Sequence, residues 1–431
     1  MEINDKYDVI VLGGGAAGIG AGIGAAQAGA KTLVVESGPC LGGAATQKNV
    51  LTYCGLYTQS TPSRLAVGGV AEKVLANLKK IGGVRTPVRL GEPSHSVIAL
   101  IDPEATKLAL DNVMQVESLD LLLHTMLIDA SGVENNIQSV TLFDDNGPHK
   151  VEGRFFIDAS GEGDLAAFGG ASIRYGNHGK VQQGTLAVRF GGIKPGSDIS
   201  AERWAEAIQQ AEQSGNTILT KVNGLKVPMP FSGDLLTYII SAEYSALDSV
   251  SITKAEIDGR KRAWAYLQAI RTIPGYEKAY IVSTGPKFGT RESRHVNARY
   301  QLTEQDVITG ARHNDVIALG AWPIEYHPGA NKPRIWKTIK DDLTFDIPLR
   351  ALESIDTDNL YAAGRLVDGD SGGGGSIRVM GTSFATGQAA GVAAAMRSKG
   401  KGDISDIQNE LERQGAILKA DNLCVVETEP V

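Results

Sequence analysis

The apolar positions of this chain fall into three regimes. Residues 7–12, apolar but for Asp8, have strand length, as in a buried strand. Three glycines follow (Gly13, Gly14, Gly15), then a helix of small residues, then a second apolar strand over 32–35 that ends on Glu36. Residues 65–80 and 102–117 show helical periodicity; Asp102 is placed to cap the second helix and Pro103 opens it. A buried strand is predicted over 119–129, and a hairpin from 136–143 and 150–157 joined by 144–148. The second of these strands runs into a small-residue turn and a helix within IDASGEGDLAAFGGA, 157–171.

From about residue 172 the pattern changes. Glycine turns thin out, all 4 tryptophans (Trp204, Trp264, Trp322, Trp336) occur here, and strand-like runs (184–190) mix with helical ones (200–214, 253–270). At 360–391 the first style returns, with a short strand (359–363), a long glycine turn and a helix of small residues. A last helix covers 403–415. The expected organisation is one α/β domain in pieces, 1–171 and 349–431, interrupted by an inserted α+β domain over 172–348.

Composition narrows the function classes. A chain of 431 residues exceeds the usual size of one core. A net charge of −7 implies no large basic face for nucleic acid. No apolar run approaches the roughly 20 residues that span a bilayer, and the first strand begins too early for a secretory leader, so a cytoplasmic location is expected. The cysteines, Cys40, Cys54 and Cys424, form no C-x-x-C pair, which argues against a redox dithiol or a cysteine-ligated cluster. No His, Cys or acid cluster has metal-ligand spacing, so no metal is expected.

The glycine turn fits G-x-G-x-x-G at Gly13, Gly15 and Gly18, between a strand and a helix, with a second strand and a terminal acid to follow. Gly13 permits the tight turn, Gly15 lets a pyrophosphate approach the backbone, and Gly18 lets the helix lie close to the sheet. The free N–H groups and positive dipole end of the helix would face the phosphates. Glu36 comes 36 − 13 = 23 residues after the first glycine, the region of the carboxylate that accepts from ribose hydroxyls. Only one such fingerprint occurs, so a separate nicotinamide-nucleotide domain is not expected.

Five blocks then carry a family likeness, in family order and over most of the chain. They are GGGAAG with Glu36, LGGAAT, DASGEGDLAAFGGA, GTRESRHVNARYQLTEQDV and AAGRLVDGDSGGGGSIRVMGTSFATGQAAG. On these the chain resembles bacterial FAD-dependent oxidoreductases of the glutathione-reductase-like, Rossmann FAD-binding fold. The resemblance implies FAD as cofactor, with Gly13, Gly15, Ala16, Ala17, Glu36 and Ser37 on its ADP half. Gly42, Gly43, Ala44 and Thr46 would lie along the pyrophosphate and ribityl chain, and Met126 would meet adenine through its backbone. Ala159, Ser160, Gly161 and Asp164 stand in the block where the family has Ala-Thr-Gly. Gly364 is followed by Arg365 where related folds often have an acid. The turn carrying Ser376 and Arg378 would stabilise charge on the reduced flavin edge.

FAD carries the electron chemistry in such proteins. The expected activity is hydride transfer between bound flavin and a small organic substrate, in the manner of a dehydrogenase or reductase. An oxidase or monooxygenase using molecular oxygen, and an FAD-binding electron carrier without a small substrate, stand as alternatives; the electron partner and oligomeric state are left open. Arg291, within GTRESRH, is the candidate clamp for a substrate carboxylate or enolate, against the alternative of a salt-bridge network. His327 is the candidate for moving the accompanying proton, against an ordinary loop histidine. Tyr57, with Tyr53, either faces the flavin or packs in a wall.

Overall fold

The computed structural model describes residues 5–91, 95–222, 224–329 and 332–430. Its main sheet has seven strands. Lys6–Leu12 pairs in parallel with Thr32–Val35 on one side and with Gly147–Asp158 on the other. Leu119–Leu122 continues the parallel set beyond Thr32–Val35, and Leu360–Ala362, from late in the chain, adds in parallel to Gly147–Asp158. Met126–Val133, Asn136–Asp144 and Gly147–Asp158 form an antiparallel meander at the other edge. The parallel strands are apolar along their covered central stretches; Val9, Ile10 and Val11 are fully buried.

Two helices of small residues lie against each other over this sheet, Ala16–Gln27 and Met380–Ser398. Their glycines interlock. A Cβ on Gly20 would sit 2.4 Å from the Phe384 carbonyl oxygen, and one on Gly387 would sit 2.0 Å from that of Ala17. This backbone-to-backbone approach explains why both helices keep glycines that cost roughly 0.8–1.0 kcal/mol each in propensity.

The second unit is built on an antiparallel sheet in the order Lys226–Pro228, Leu235–Ala242, Gly184–Gly191, Tyr280–Thr284. Helices Ala201–Gln213 and Ser249–Ile270 pack with it around a separate apolar cluster that includes Leu186, Trp204, Tyr266 and Phe288. Leu302, Trp322 and Phe345 instead join the larger cluster around the first helix. The architecture is α/β, a central sheet with parallel strands interrupted by an inserted unit of mixed helix and antiparallel sheet. Among the described residues no helix is long and apolar enough to cross a membrane.

Two local expectations change. The stretch 119–129 is not one buried strand: it breaks between Leu122 and Met126, and the second strand lies on the exposed meander, with Met126 55% exposed. The glycine run after Leu366 is not a turn but a helix, Ser371–Ile377. Asp370 caps it, accepting from the N–H groups of Gly372 and Gly373. The glycines are demanded by packing: a Cβ on Gly373 would meet the Leu302 carbonyl oxygen at 2.3 Å, and one on Gly372 would meet the Glu304 Cβ at 2.5 Å.

Candidate active site

A cavity of about 840 Å³ opens where the first strand meets the first helix. That volume is in the range of small-molecule and cofactor sites, about 300–1,000 Å³. Gly13, Gly15, Ala16, Ala17, Glu36 and Ser37 line one part of it, and Gly43, Ala44 and Met126 another. Ala159, Ser160, Gly161 and Asp164 line it from the loop and short helix that follow Asp158, and Gly364, Arg365 and Arg378 from the late segment.

The glycine turn is built as a cradle. Gly13 has φ +106°, and a Cβ there would strike the Ala159 carbonyl oxygen at 2.3 Å. Gly15 caps the first helix without a side-chain acceptor, and no acid stands in the first turn, so the N-terminal amides and the helix dipole are free to act on an anion. Gly43, at φ +51°, faces Gly15; a Cβ on it would come within 3.0 Å of the Gly15 Cα and close the gap between the two backbones. Glu36 is buried and accepts from the N–H of Gly14 at 2.7 Å and of Gly38 at 2.6 Å, which ties the end of the second strand to the turn.

Asp158, at the end of its strand, organises the neighbouring loop. It accepts from the N–H and hydroxyl of Ser160 and from the N–H of Ala166. Burial pushes its carboxyl up to about 6, against the pull of those bonds. Arg365 reaches across the cavity wall: its Nε donates to the Gly161 carbonyl at 2.6 Å, its Nη1 to that of Thr290, and its Nη2 pairs with Glu162.

Six expected residues stay outside the lining: Gly42, Thr46, Ser376, Tyr57, Arg291 and His327. Gly42 and Thr46 shape the loop instead; the Thr46 hydroxyl donates to the Leu41 carbonyl at 2.6 Å. Ser376 lies within the glycine helix, and its hydroxyl donates to the Trp322 carbonyl. Met380 and Ser383, at the start of the following helix, are the late-segment residues that reach the cavity beside Arg378. Tyr57 is buried and its hydroxyl bonds that of Thr86 at 2.6 Å, so it does not face the cavity.

Arg291 and His327 do not line the cavity directly, but they belong to a buried polar cluster that reaches it through Arg378. Glu325 is the hub. Its carboxylate meets Arg378 at 3.4 Å, His327 Nε2 at 3.4 Å and Arg334 at 3.1 Å, and accepts from the Trp322 indole at 3.2 Å. Burial alone would push the Glu325 carboxyl up, but His327 and the two arginines hold it well below the usual carboxylate range. Burial, with the nearby Arg291 charge, lowers His327 to about 4, so the ring is neutral at pH 7. Arg291 donates to the Gln183 carbonyl at 2.6 Å; burial and Arg378 lower it to about 10. Arg334 and Arg378 thus pair with one buried carboxylate beside a neutral histidine, and Arg291, which bonds the Gln183 carbonyl instead, adds a third cation nearby, so the cluster carries more positive than negative charge.

Sequence reasoning passed over Glu325, Asp158 and Lys48. Lys48 lines the cavity, and burial, with Arg365 nearby, lowers its ammonium to about 7. Its sequence signal was position alone, two residues beyond Thr46. Glu325 was missed because its link to the cavity runs through Arg378, far off in sequence; Asp158 has local partners, Ser160 and Ala166, and was passed over inside its own block.

A family model described as FAD dependent oxidoreductase matches residues 8–416. No curated protein sequence matches the chain. Solved structures that resemble it include BexE, described by its role in oxidation during BE-7585A biosynthesis, at 12% identity, with 95% of this chain and 66% of that chain covered and a TM-score of 0.49. The myxobacterial chondrochloren halogenase CndH, an FAD-dependent halogenase, resembles it at 14% identity over 95% and 79% of the two chains, with a TM-score of 0.49. A flavoprotein/dehydrogenase from Cytophaga hutchinsonii does so at 14% over 95% and 82%, with a TM-score of 0.48. The chain thus spans just under two thirds of the length of BexE.

Proposed function

The chain belongs to the FAD-dependent oxidoreductase family, and from that premise we propose that it moves a hydride between bound FAD and a small organic substrate that carries a carboxylate or forms an enolate. FAD is the cofactor, and the cavity fits it: Gly13, Gly15 and Gly43 line it with bare backbone, and the first helix points its uncapped N-terminus there. In this reading the glycine turn with Ala16 and Ala17 holds the diphosphate, Glu36 and Ser37 the ribose, Met126 the adenine side, and Gly161, Asp164, Gly364 and Arg365 the middle of the cofactor. The single dinucleotide fingerprint and the late strand that rejoins the parallel sheet favour the glutathione-reductase-like subgroup. Residues 172–348 would face the substrate, and 1–171 with 349–431 would carry FAD. Three free cysteines agree with a cytoplasmic location.

FAD supplies two-electron chemistry when bound. The chain supplies charge and proton handling. The observation that carries the reading is the excess positive charge of the Arg291–Glu325–Arg378 cluster. Arg291 would pair with the substrate anion. His327 is neutral, and with Nε2–H turned to Glu325 its Nδ1 is left as an acceptor for the proton released with the hydride.

The test is anaerobic titration of the FAD-loaded protein with a panel of organic acids and matched neutral analogues, following loss of oxidised-flavin absorbance. Bleaching by acids and not by their neutral analogues is expected. An Arg291→Met variant should need about 10–100-fold more substrate for the same effect. Bleaching only by neutral compounds, or an indifferent Arg291→Met, would overturn it.

A further inference from the structure

The Ser249–Ile270 helix is a partition between two cavities. Ile252, Thr253, Glu256, Ile257 and Arg260 line the cofactor cavity. Val250, Ser251, Lys254, Ala255, Asp258 and Arg262, on another face, line a second cavity of about 820 Å³ within the inserted unit. Phe288 borders both. Gly259 lets the helix sit this close: a Cβ there would meet the Phe288 ring at 3.0 Å and Leu186 at 2.9 Å.

Three donors converge at one point of the second cavity. Lys221 Nζ donates to the Ser241 hydroxyl at 2.6 Å, and Arg262 Nη1 donates to the Ser241 carbonyl at 3.0 Å. The hydroxyl accepts from the ammonium, so its own proton is free to be given. Among the described residues Lys221 has no carboxylate partner; burial, with the charge of Arg291, lowers it to about 8. Among the described residues Arg262 pairs with Asp258 alone, at 3.7 Å, and the Asp258 side chain is 61% exposed. Leu219, Ile240, Ala242, Val250 and Phe288 give the cavity an apolar wall. Glu212, Glu243, Asp248 and Asp258 also line it and would repel a second negative charge.

We propose that this cavity is a second ligand site that takes a small apolar monocarboxylate, its head group held by Lys221, Arg262 and the Ser241 hydroxyl. Two cations beside one hydroxyl suit a carboxylate, the apolar wall suits its hydrocarbon tail, and the acids select against dianions. The proposal stands apart from the flavin reading, since none of these three residues lines the cofactor cavity.

The probe is octanoate, titrated calorimetrically into the FAD-loaded protein, with octanol and octanedioate as comparisons. One saturable site for octanoate is expected, with octanol and octanedioate each at least about tenfold weaker. Lys221→Met and Arg262→Met should each weaken octanoate about tenfold or more, while Lys221→Arg keeps it. Circular dichroism checks that each variant is folded; should Lys221→Met unfold, Ser241→Ala replaces it and should weaken octanoate severalfold. Absence of saturable octanoate binding, octanol bound as tightly as octanoate, or folded Met variants with unchanged affinity would each overturn the proposal.

Discussion

His295 Nε2 lies 3.1 Å from Glu292 Oε1, and the Nδ1 of the same ring lies 3.0 Å from the Val367 carbonyl oxygen. The ring is thus held at both of its nitrogens. Glu292 Oε2 also accepts from the Gln182 N–H, and the Gln182 side-chain oxygen accepts from the His327 N–H. The pair thus anchors the backbone that carries His327. With side-chain exposures of 2% and 3%, it has no water to fall back on. Replacing one member leaves the other buried without its ring–carboxylate partner, a loss of up to about 3–5 kcal/mol. His295→Leu and Glu292→Leu should each lower the unfolding midpoint in urea, and the double variant should lose less than the sum of the two. Additive losses would show that the two side chains act separately.

The glycine helices allow a test in which propensity and packing have opposite signs. Alanine is favoured over glycine in a helix interior by about 0.8–1.0 kcal/mol. A Cβ on Gly387 would sit 2.0 Å from the Ala17 carbonyl oxygen, and a backbone atom cannot swing aside as a side chain can. Overpacking of this kind costs about 1–3 kcal/mol or more. Gly387→Ala should therefore destabilise the protein, measured by the shift in thermal midpoint, and weaken FAD retention because Ala17 lines the cavity. A midpoint that rises would mean that the two helices part without cost.

What the sequence made legible was local chemistry. The strand, Gly13–Gly15, the first helix and Glu36 are contiguous, and each residue type answers to one backbone requirement, so the fingerprint can be read without the fold. The run Gly372–Gly375 misled because its glycines answer to distant neighbours: Leu302 and Glu304 press on the helix, and no local rule reports them. The break after Leu122 is marked only by the polar pair His124 and Thr125, and apolar letters on either side do not tell which residues stay covered; Met126 and Ile128 are exposed. Glu325 has neighbours close in sequence, His327 and Trp322, but its link to the cavity lies in Arg378, 53 residues on, which no local rule reports.

His327 gives a prediction with a sign. Its pKa, lowered by burial and by Arg291 to about 4, keeps the imidazole neutral through the range where an unperturbed histidine, near 6.5, would take up a proton. If it accepts the substrate proton, the rate of flavin reduction should stay level down to about pH 5 and fall through about 4. Arg291→Met removes a cation that holds the value down, so the acid limb should move to higher pH. Stopped-flow reduction at saturating substrate across this range measures both. A limb near 6.5 in the unaltered protein would assign the proton to another group.

Lys48 couples cofactor uptake to pH. In the empty cavity burial, with Arg365, lowers its pKa to about 7, so above that value the amine is neutral. FAD carries an anionic diphosphate into the same cavity, and a nearby anion favours the ammonium and raises the pKa. The bound state then holds more protons than the free state between about pH 7 and the raised value. Affinity should be level below about 7 and weaken as pH climbs through that window, by up to tenfold per unit. Lys48→Met removes the titrating group and should flatten the profile, with weaker binding at pH 6 and little change at pH 9. Riboflavin, which lacks the phosphates, should show no such dependence in either protein. Flavin fluorescence quenching by the apoprotein across this range measures the three curves, and a profile that stays steep in Lys48→Met would place the linked proton elsewhere.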